Sequence, residues 1–257
     1  MIYHDLPAAE YHSRDGISKS GLDKVAISPA HYRASIDRPE RPEEALIIGQ
    51  AVHTMTLEPY KFEDEFIVGS PGLDRRYKAG KEEFAELEAS GKTVLTYAQF
   101  ETVQGIAMSV RSHSVALDLI TGGHAEVSFD HVMDGITVRG RCDFLRDDGL
   151  VVDLKTTKSA HYKSFTRSVR DFRYHVQAAI YSDLLEANGV YVSDFVFVAV
   201  EKVYPFAVGI YRLDDATIEM GREQYLRDLQ IYRQCVERGE WPGYPEEVVT
   251  LGLANWF

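Results

Sequence analysis

The run Leu150–Thr156 reads LVVDLKT, and it limits what this chain can become. Its apolar, β-branched make-up predicts a buried strand. Residues two apart on a strand share a face, so Asp153 and Lys155 point the same way. A carboxylate and an ammonium inside an apolar strand are costly to bury without partners. A fold that keeps them must supply compensating groups, a cation, or both. An isolated Asp-x-Lys is most often an ordinary ion pair, so the surroundings decide.

Those surroundings are unusual. Upstream, His124–His131 alternates, with Ala125, Val127 and Phe129 expected on one side and Glu126 on the other. Asp134-Gly135 is a hairpin signal, Ile136–Arg146 the next strand, and Asp147-Asp148-Gly149 a second turn. The three strands predict an antiparallel meander in which Asp143 comes close to Asp153. Two carboxylates at close range repel unless a proton or a cation lies between them. A hard divalent cation with oxygen ligands, such as Mg²⁺, meets that demand.

The rest of the chain supplies helices and two more strands. Ser18–Ile36 predicts two short helices, capped by Ser18 or Ser20 and by Ser28-Pro29. Glu43–Leu57 predicts a buried helix stopped by Pro59, and Lys81–Ala89 and Tyr97–Ile120 two further helices. After the meander come a helix over Asp171–Asn188, strands over Phe195–Val200 and Phe206–Leu213, and a long helix over Asp214–Arg238. The order implies an α/β fold with a central mixed five-stranded sheet flanked by helices. No linker or repeat interrupts it. The expectation is one domain over 1–257, with a helical part over 1–120 and the sheet core over 121–257.

Composition narrows the function. Basic residues number 28 and acidic residues 40, a net charge of −12. The total argues against a basic nucleic-acid binder, but only the local field at a contact matters. Lys158–His175 carries five basic residues against one acid, while 39–65 holds seven acids against two basic residues. The two cysteines are too few for a disulfide scaffold or a four-thiolate cluster, and point to a reducing, cytoplasmic setting. No secretory signal or apolar span is read, and no membrane association is expected. No G-x-x-x-x-G-K-[ST] phosphate loop occurs, which removes a kinase-type or ATPase reading.

Asp143, nine residues, then Asp153-x-Lys155 resembles the signature of the PD-(D/E)xK nuclease superfamily. Further residues are similar to the branch that includes the bacterial recombination nucleases. Gly49 and His53 stand at i, i+4 in GQAVHTM, Glu126 lies in HAEVSF, and Gln177 and Tyr181 stand at i, i+4 in RYHVQAAIYSDLL. With YHSRDGISKSGLDKVAISPAHY, EWPGY and Trp256, these motifs resemble, in order, the nuclease domain of the RecE-type exonucleases (exonuclease VIII), from about Tyr11 to Trp256.

The resemblance implies a Mg²⁺-dependent, ATP-independent exonuclease acting on linear double-stranded DNA from the 5′ end and leaving a 3′ single strand. It implies a toroidal homo-oligomer, a tetramer in this type, and a RecT-like single-strand annealing partner. It implies metal binding by His53, Asp143, Asp153 and the Leu154 carbonyl, with Mn²⁺ accepted and a second ion shared through Asp143. Lys155 would steer or deprotonate the attacking water, and burial would lower its pKa. Glu126 would hold an outer water, with Gln177 and Tyr181 orienting Lys155 or the phosphate. Phosphate contacts are expected from Lys158, Lys163, Arg75 and Arg76, and 5′-phosphate contacts from Ser18, Lys19 and Ser20. An endonuclease of the same fold and a non-catalytic DNA-end-binding protein are the alternatives.

Overall fold

The computed structural model describes residues 1–38 and 44–250. Glu43, the expected start of the His53 helix, and Trp256 lie outside them. In chain order the first elements are β1 (Ile2–Tyr3), α1 (Ala8–Ser13), β2 (Ile17–Ser18), α2 (Lys19–Ile27), α3 (Pro29–Asp37) and α4 (Glu44–Leu57). Then come α5 (Phe62–Glu65), β3 (Phe66–Val68), α6 (Lys78–Glu88), β4 (Thr93–Leu95), α7 (Tyr97–Ser112) and α8 (Ser114–Leu119). The sheet core follows as β5 (Gly123–Met133), β6 (Ile136–Arg146), β7 (Leu150–Thr157), α9 (Tyr162–Asp171), α10 (Tyr174–Ala187), β8 (Asp194–Glu201), β9 (Val208–Arg212) and α11 (Asp215–Arg238).

The sheet runs β1-β5-β6-β7-β8-β9, with β2 added beside β6. The meander β5-β6-β7 is antiparallel, β8 lies parallel to β7 after the α9–α10 crossover, and β9 returns antiparallel. The five expected strands form the centre of this mixed sheet. β1 and β2 span two residues each, too few to show a period of two in the sequence.

Two apolar cores cover the sheet. On one side, Leu22, Phe165, Ile180 and Tyr225 pack against Val127, Cys142 and Phe197. On the other, Val52, Ile106 and Ala116 pack against Phe144, Leu154 and Val198. Capping follows the residue types. Ser18 accepts from Gly21 N at the start of α2, Ser28 accepts from His31 N with Pro29 in the first turn of α3, and Asp214 accepts from Thr217 N at α11.

Three expectations change. The helix over Tyr97–Ile120 is two helices, because His113 adopts extended backbone and its Nδ1 accepts from Ala116 N at 3.2 Å, capping α8. The helix over Asp171–Asn188 starts only at Tyr174, because Arg173 has a left-handed φ of 53° and separates α9 from α10. Ala125 does not share a face with Val127 and Phe129. Those two belong to the first core and Ala125 packs against the second, since the alternation slips at Glu126, whose φ is 52°.

That slip coincides with a fork in the sheet. β6 and β7 pair only at Phe144↔Val152 and Leu145↔Val151. In the same register Asp143 would next face Asp153. Instead the strands part, and Asp143 Oδ2 accepts from Leu154 N at 2.7 Å. A side chain thus replaces a ladder hydrogen bond and holds the fork open. β2 takes the edge of β6 that β7 leaves, with Ile17↔Val138 and Ser18↔Arg139.

Candidate active site

The fork opens into a cleft of about 1230 Å³. Its walls bring together residues from β2, α2, α4, β5, β6, β7 and α10, among them Ser18, His53, Glu126, Asp143, Lys155 and Gln177.

Each side chain arrives for a local reason. His53 sits on α4, one face of which is anchored in the second core by Ala51 and Val52. Its Nε2 lies 2.8 Å from the Leu154 carbonyl oxygen. Its Nδ1 faces Asp143 Oδ1 at 3.5 Å and Glu126 Oε1 at 4.0 Å. Glu126 sits where the β5–β6 ladder skips a pair, between Ala125↔Phe144 and Val127↔Cys142, and its left-handed backbone brings the carboxylate near His53. Arg141 Nη1 approaches Glu126 Oε2 at 3.7 Å.

A second group lies beside the first. Asp153 is fully buried, and its Oδ2 is 2.7 Å from Lys155 Nζ. Geometrically this is an ion pair without an aligned hydrogen bond, so Oδ2 keeps acceptor capacity. Gln177 ties the pair together. Its Nε2 donates to Asp153 Oδ1, and its Oε1 accepts from Lys155 Nζ at 3.0 Å. Tyr181, one turn on, lines the cleft with its ring edge-on to Phe129 at 5.3 Å.

The electrostatics show an excess of negative charge. Burial, and then the Asp143 carboxylate, push Glu126 up to about 7. Burial also raises Asp143, with Asp153 adding and His53 opposing. For His53 burial lowers the pKa, but Asp143 and Glu126 outweigh it and the net shift is upward. Lys155 behaves alike. Burial lowers its pKa, as the sequence suggests, but Asp153 and Asp143 reverse the sign and leave it raised. The expected fall is therefore corrected, and the ammonium stays charged.

These residues fit a divalent cation. One donor atom each from His53, Glu126 and Asp143 lies within 4.8 Å of the others. Imidazole nitrogen and carboxylate oxygens suit Mg²⁺ or Mn²⁺. Both Glu126 and Asp143 are shifted upward by burial and by neighbouring carboxylates, a repulsion that a bound cation would relieve. The donor set differs from the sequence expectation in two respects. Glu126 stands inside the cluster, and Asp153 is held by Lys155 and Gln177 next to it.

The sign of the pH effect follows. Glu126 ordinarily titrates near 4.5, so between there and about 7 the unfolded chain gives up a proton that the folded chain retains. The metal-free fold therefore loses stability as pH rises through that window. A cation reverses this by favouring the carboxylate. Saturating Mg²⁺ is expected to raise the melting temperature by roughly 5–10 °C at about pH 8 and by much less at about pH 5. Thermal unfolding at both pH values checks this, and equal gains would contradict it.

The remaining expected residues are placed as follows. Ser18, Lys19 and Ser20 line the cleft, brought there by β2. Lys19 is half-buried and tied to Asp23 at 2.7 Å and to the Phe172 carbonyl at 2.6 Å, and desolvation lowers its pKa. Arg75, Arg76, Lys158 and Lys163 do not line the cleft. Arg75 rests on the Phe84 ring, Arg76 pairs with Asp74, and Lys163 lies over Tyr162. Of the basic block over Lys158–His175, Arg173 reaches the cleft, already paired with Asp23 and Asp228.

The cleft also holds residues that the sequence motifs do not mark. Arg139 and Arg141 flank the Tyr11 ring at 4.8 and 4.6 Å and form the wall next to Glu126. The signal was present, because 139, 141 and 143 alternate along β6.

No curated protein matches the sequence. A candidate exonuclease from Eubacterium rectale superposes with a TM-score of 0.66 at 14% identity, covering 95% of this chain and 96% of its own, which shows a shared fold. An alkaline exonuclease from Laribacter hongkongensis is more distant, with a TM-score of 0.37, 12% identity and coverage of 65% of this chain and 87% of its own. A phage-related exonuclease from Haemophilus somnus 129PT stands at 0.36 and 12%, covering 74% of this chain and 95% of its own. Among the described residues no helix is long and apolar enough to cross a membrane. Residues 18–251, which carry His53, Glu126, Asp143, Asp153, Lys155 and Gln177, match the PDDEXK-like domain of unknown function (DUF3799), and the chain belongs to that family and has its PD-(D/E)xK nuclease fold.

Proposed function

We propose that this protein is a metal-dependent, ATP-independent exonuclease that digests linear double-stranded DNA from the 5′ end. The 3′ single strand left behind would serve single-strand annealing recombination with a RecT-like partner. The observation that carries the reading is the junction of two groups in one fork. The His53–Glu126–Asp143 cluster adjoins the Asp153–Lys155–Gln177 triad through the Leu154 backbone.

His53, Glu126 and Asp143 would hold Mg²⁺ or Mn²⁺, with Asp153 and the Leu154 carbonyl at its border. A second ion would share Asp143. A cation held there would supply an activated water and charge neutralisation at the phosphate. Lys155 stays protonated, so its part is to donate to a phosphate oxygen or to the attacking water rather than to act as a base. Asp153 and Gln177 fix its Nζ from two sides, which keeps the ammonium aimed into the cleft. Ser18, Ser20, Arg139 and Arg141 line the cleft and would contact the backbone of a bound strand. Lys158, Lys163, Arg75 and Arg76, off the cleft, would meet phosphates further along the duplex. Assembly into a tetrameric ring and action in the cytoplasm complete the proposal.

Digestion of linear duplexes labelled separately at the 5′ and 3′ ends, beside a covalently closed circle, tests it. Early release of the 5′ label and an intact circle are expected. Nicking of the circle would make the protein an endonuclease, and tight end binding without hydrolysis under any divalent ion would make it a non-catalytic binder.

A further inference from the structure

α9 ends at Asp171, and Phe172 follows at the rim of the cleft with 61% of its surface exposed. Its ring stacks on Tyr174, with centroids 5.7 Å apart and planes at 25°. Tyr174 stacks in turn on the fully buried Phe197, at 5.8 Å and 26°. Three aromatic rings therefore climb from the core to the mouth of the cleft. Lys155 Nζ sits 4.8 Å above the middle ring. The group placed to meet a phosphate is thus one ring away from Phe172.

An exposed phenylalanine is common and by itself means little. This one is held from both sides. Lys19 Nζ grips its carbonyl oxygen at 2.6 Å. The next residue, Arg173, is kept in left-handed backbone while its guanidinium pairs with Asp23 at 3.0 Å and with the buried Asp228. Two buried or half-buried ion pairs thus fix a segment whose outward product is a flat apolar ring in a charged cleft. A fixed aromatic face beside a phosphate-binding cation is what a nucleobase stacks on, and every base offers a π face, so such contacts tolerate sequence.

We propose that Phe172 is a stacking platform for a nucleobase of the strand being cut. The proposal rests on the nuclease reading above. The base of the nucleotide near the scissile phosphate leaves its neighbour in the duplex and lies on Phe172, while the phosphate meets Lys155. Tyr174 acts as a positioning residue that carries both.

The test uses a linear duplex with 2-aminopurine at its 5′ end, bound in Ca²⁺ and separately digested in Mg²⁺. Wild type, Phe172→Ala, Phe172→Leu and Phe172→Trp are compared at equal melting temperature. Stacking predicts that wild type and Phe172→Trp quench the probe. Phe172→Ala and Phe172→Leu should lose that quenching and about tenfold in affinity. Unchanged quenching and affinity in Phe172→Ala and Phe172→Leu, with wild type binding and cutting, would overturn the stacking role alone. A wild type that neither binds nor cuts the duplex would overturn the nuclease reading, and this role with it.

Discussion

Lys155→Ala is expected to slow hydrolysis of linear duplex DNA by about 100- to 1000-fold, the usual cost of losing one fixed donor at a developing negative charge. The structure adds a second effect that the sequence did not reveal. Asp153 is fully buried and its Oδ2 faces Lys155 Nζ at 2.7 Å. Removing the ammonium leaves that carboxylate without its counter-charge, at a stability cost of about 3–5 kcal/mol. Lost activity alone would therefore not separate chemistry from damage. The double variant Asp153→Ala, Lys155→Ala does so, because it removes both charges. It should regain most of the stability and none of the activity, as read by denaturant unfolding and initial rates. A double variant that recovers both would make the pair structural.

Asp143→Ala is the other large effect. Asp143 has two duties, one oxygen in the donor cluster and one accepting from Leu154 N at 2.7 Å. Loss of the first should weaken binding of Mn²⁺ by more than about 100-fold in calorimetric titration. Loss of the second leaves a backbone donor unpaired at the fork and should cost about 1–3 kcal/mol. His53→Ala removes a proposed ligand and the Nε2 contact to the Leu154 carbonyl but keeps the Leu154 N–H bond to Asp143, so its stability loss should be smaller. Equal Mn²⁺ affinity in Asp143→Ala and wild type would remove the metal centre from this account.

Much of this was readable in the residues, and the reasons are local. The meander is marked by its turn signals, β6 by a period of two and β7 by its apolar run, and Asp153 and Lys155 share a face by strand geometry. The long helix after Asp214 is marked by its cap and by Gly239, whose φ of 70° ends it. What was not readable depends on contacts distant in the chain. The two-residue strand β2 brings Ser18 and Lys19 to the cleft, and nothing in so short a segment announces a partner on β6. The left-handed turn at Glu126 moves a carboxylate from an expected outer position into the donor cluster. Charge was the least informative signal. Arg173 belongs to the basic block over Lys158–His175, yet it spends its charge on Asp23 and Asp228, which lie far from it in sequence. Lys158 and Lys163 in the same block lie off the cleft. Arg139 and Arg141, outside that block, line the cleft beside Tyr11 and Glu126 instead.

If His53, Glu126 and Asp143 hold a cation that works with Lys155 on a phosphodiester, hydrolysis must depend on both. Release of acid-soluble nucleotides from linear duplex DNA, with Mg²⁺ and then with a chelator, measures it most directly. Wild type should release nucleotides only when the ion is present, and Asp143→Ala and Lys155→Ala almost none. Release that persists in the chelator, or that Asp143→Ala matches, would contradict it.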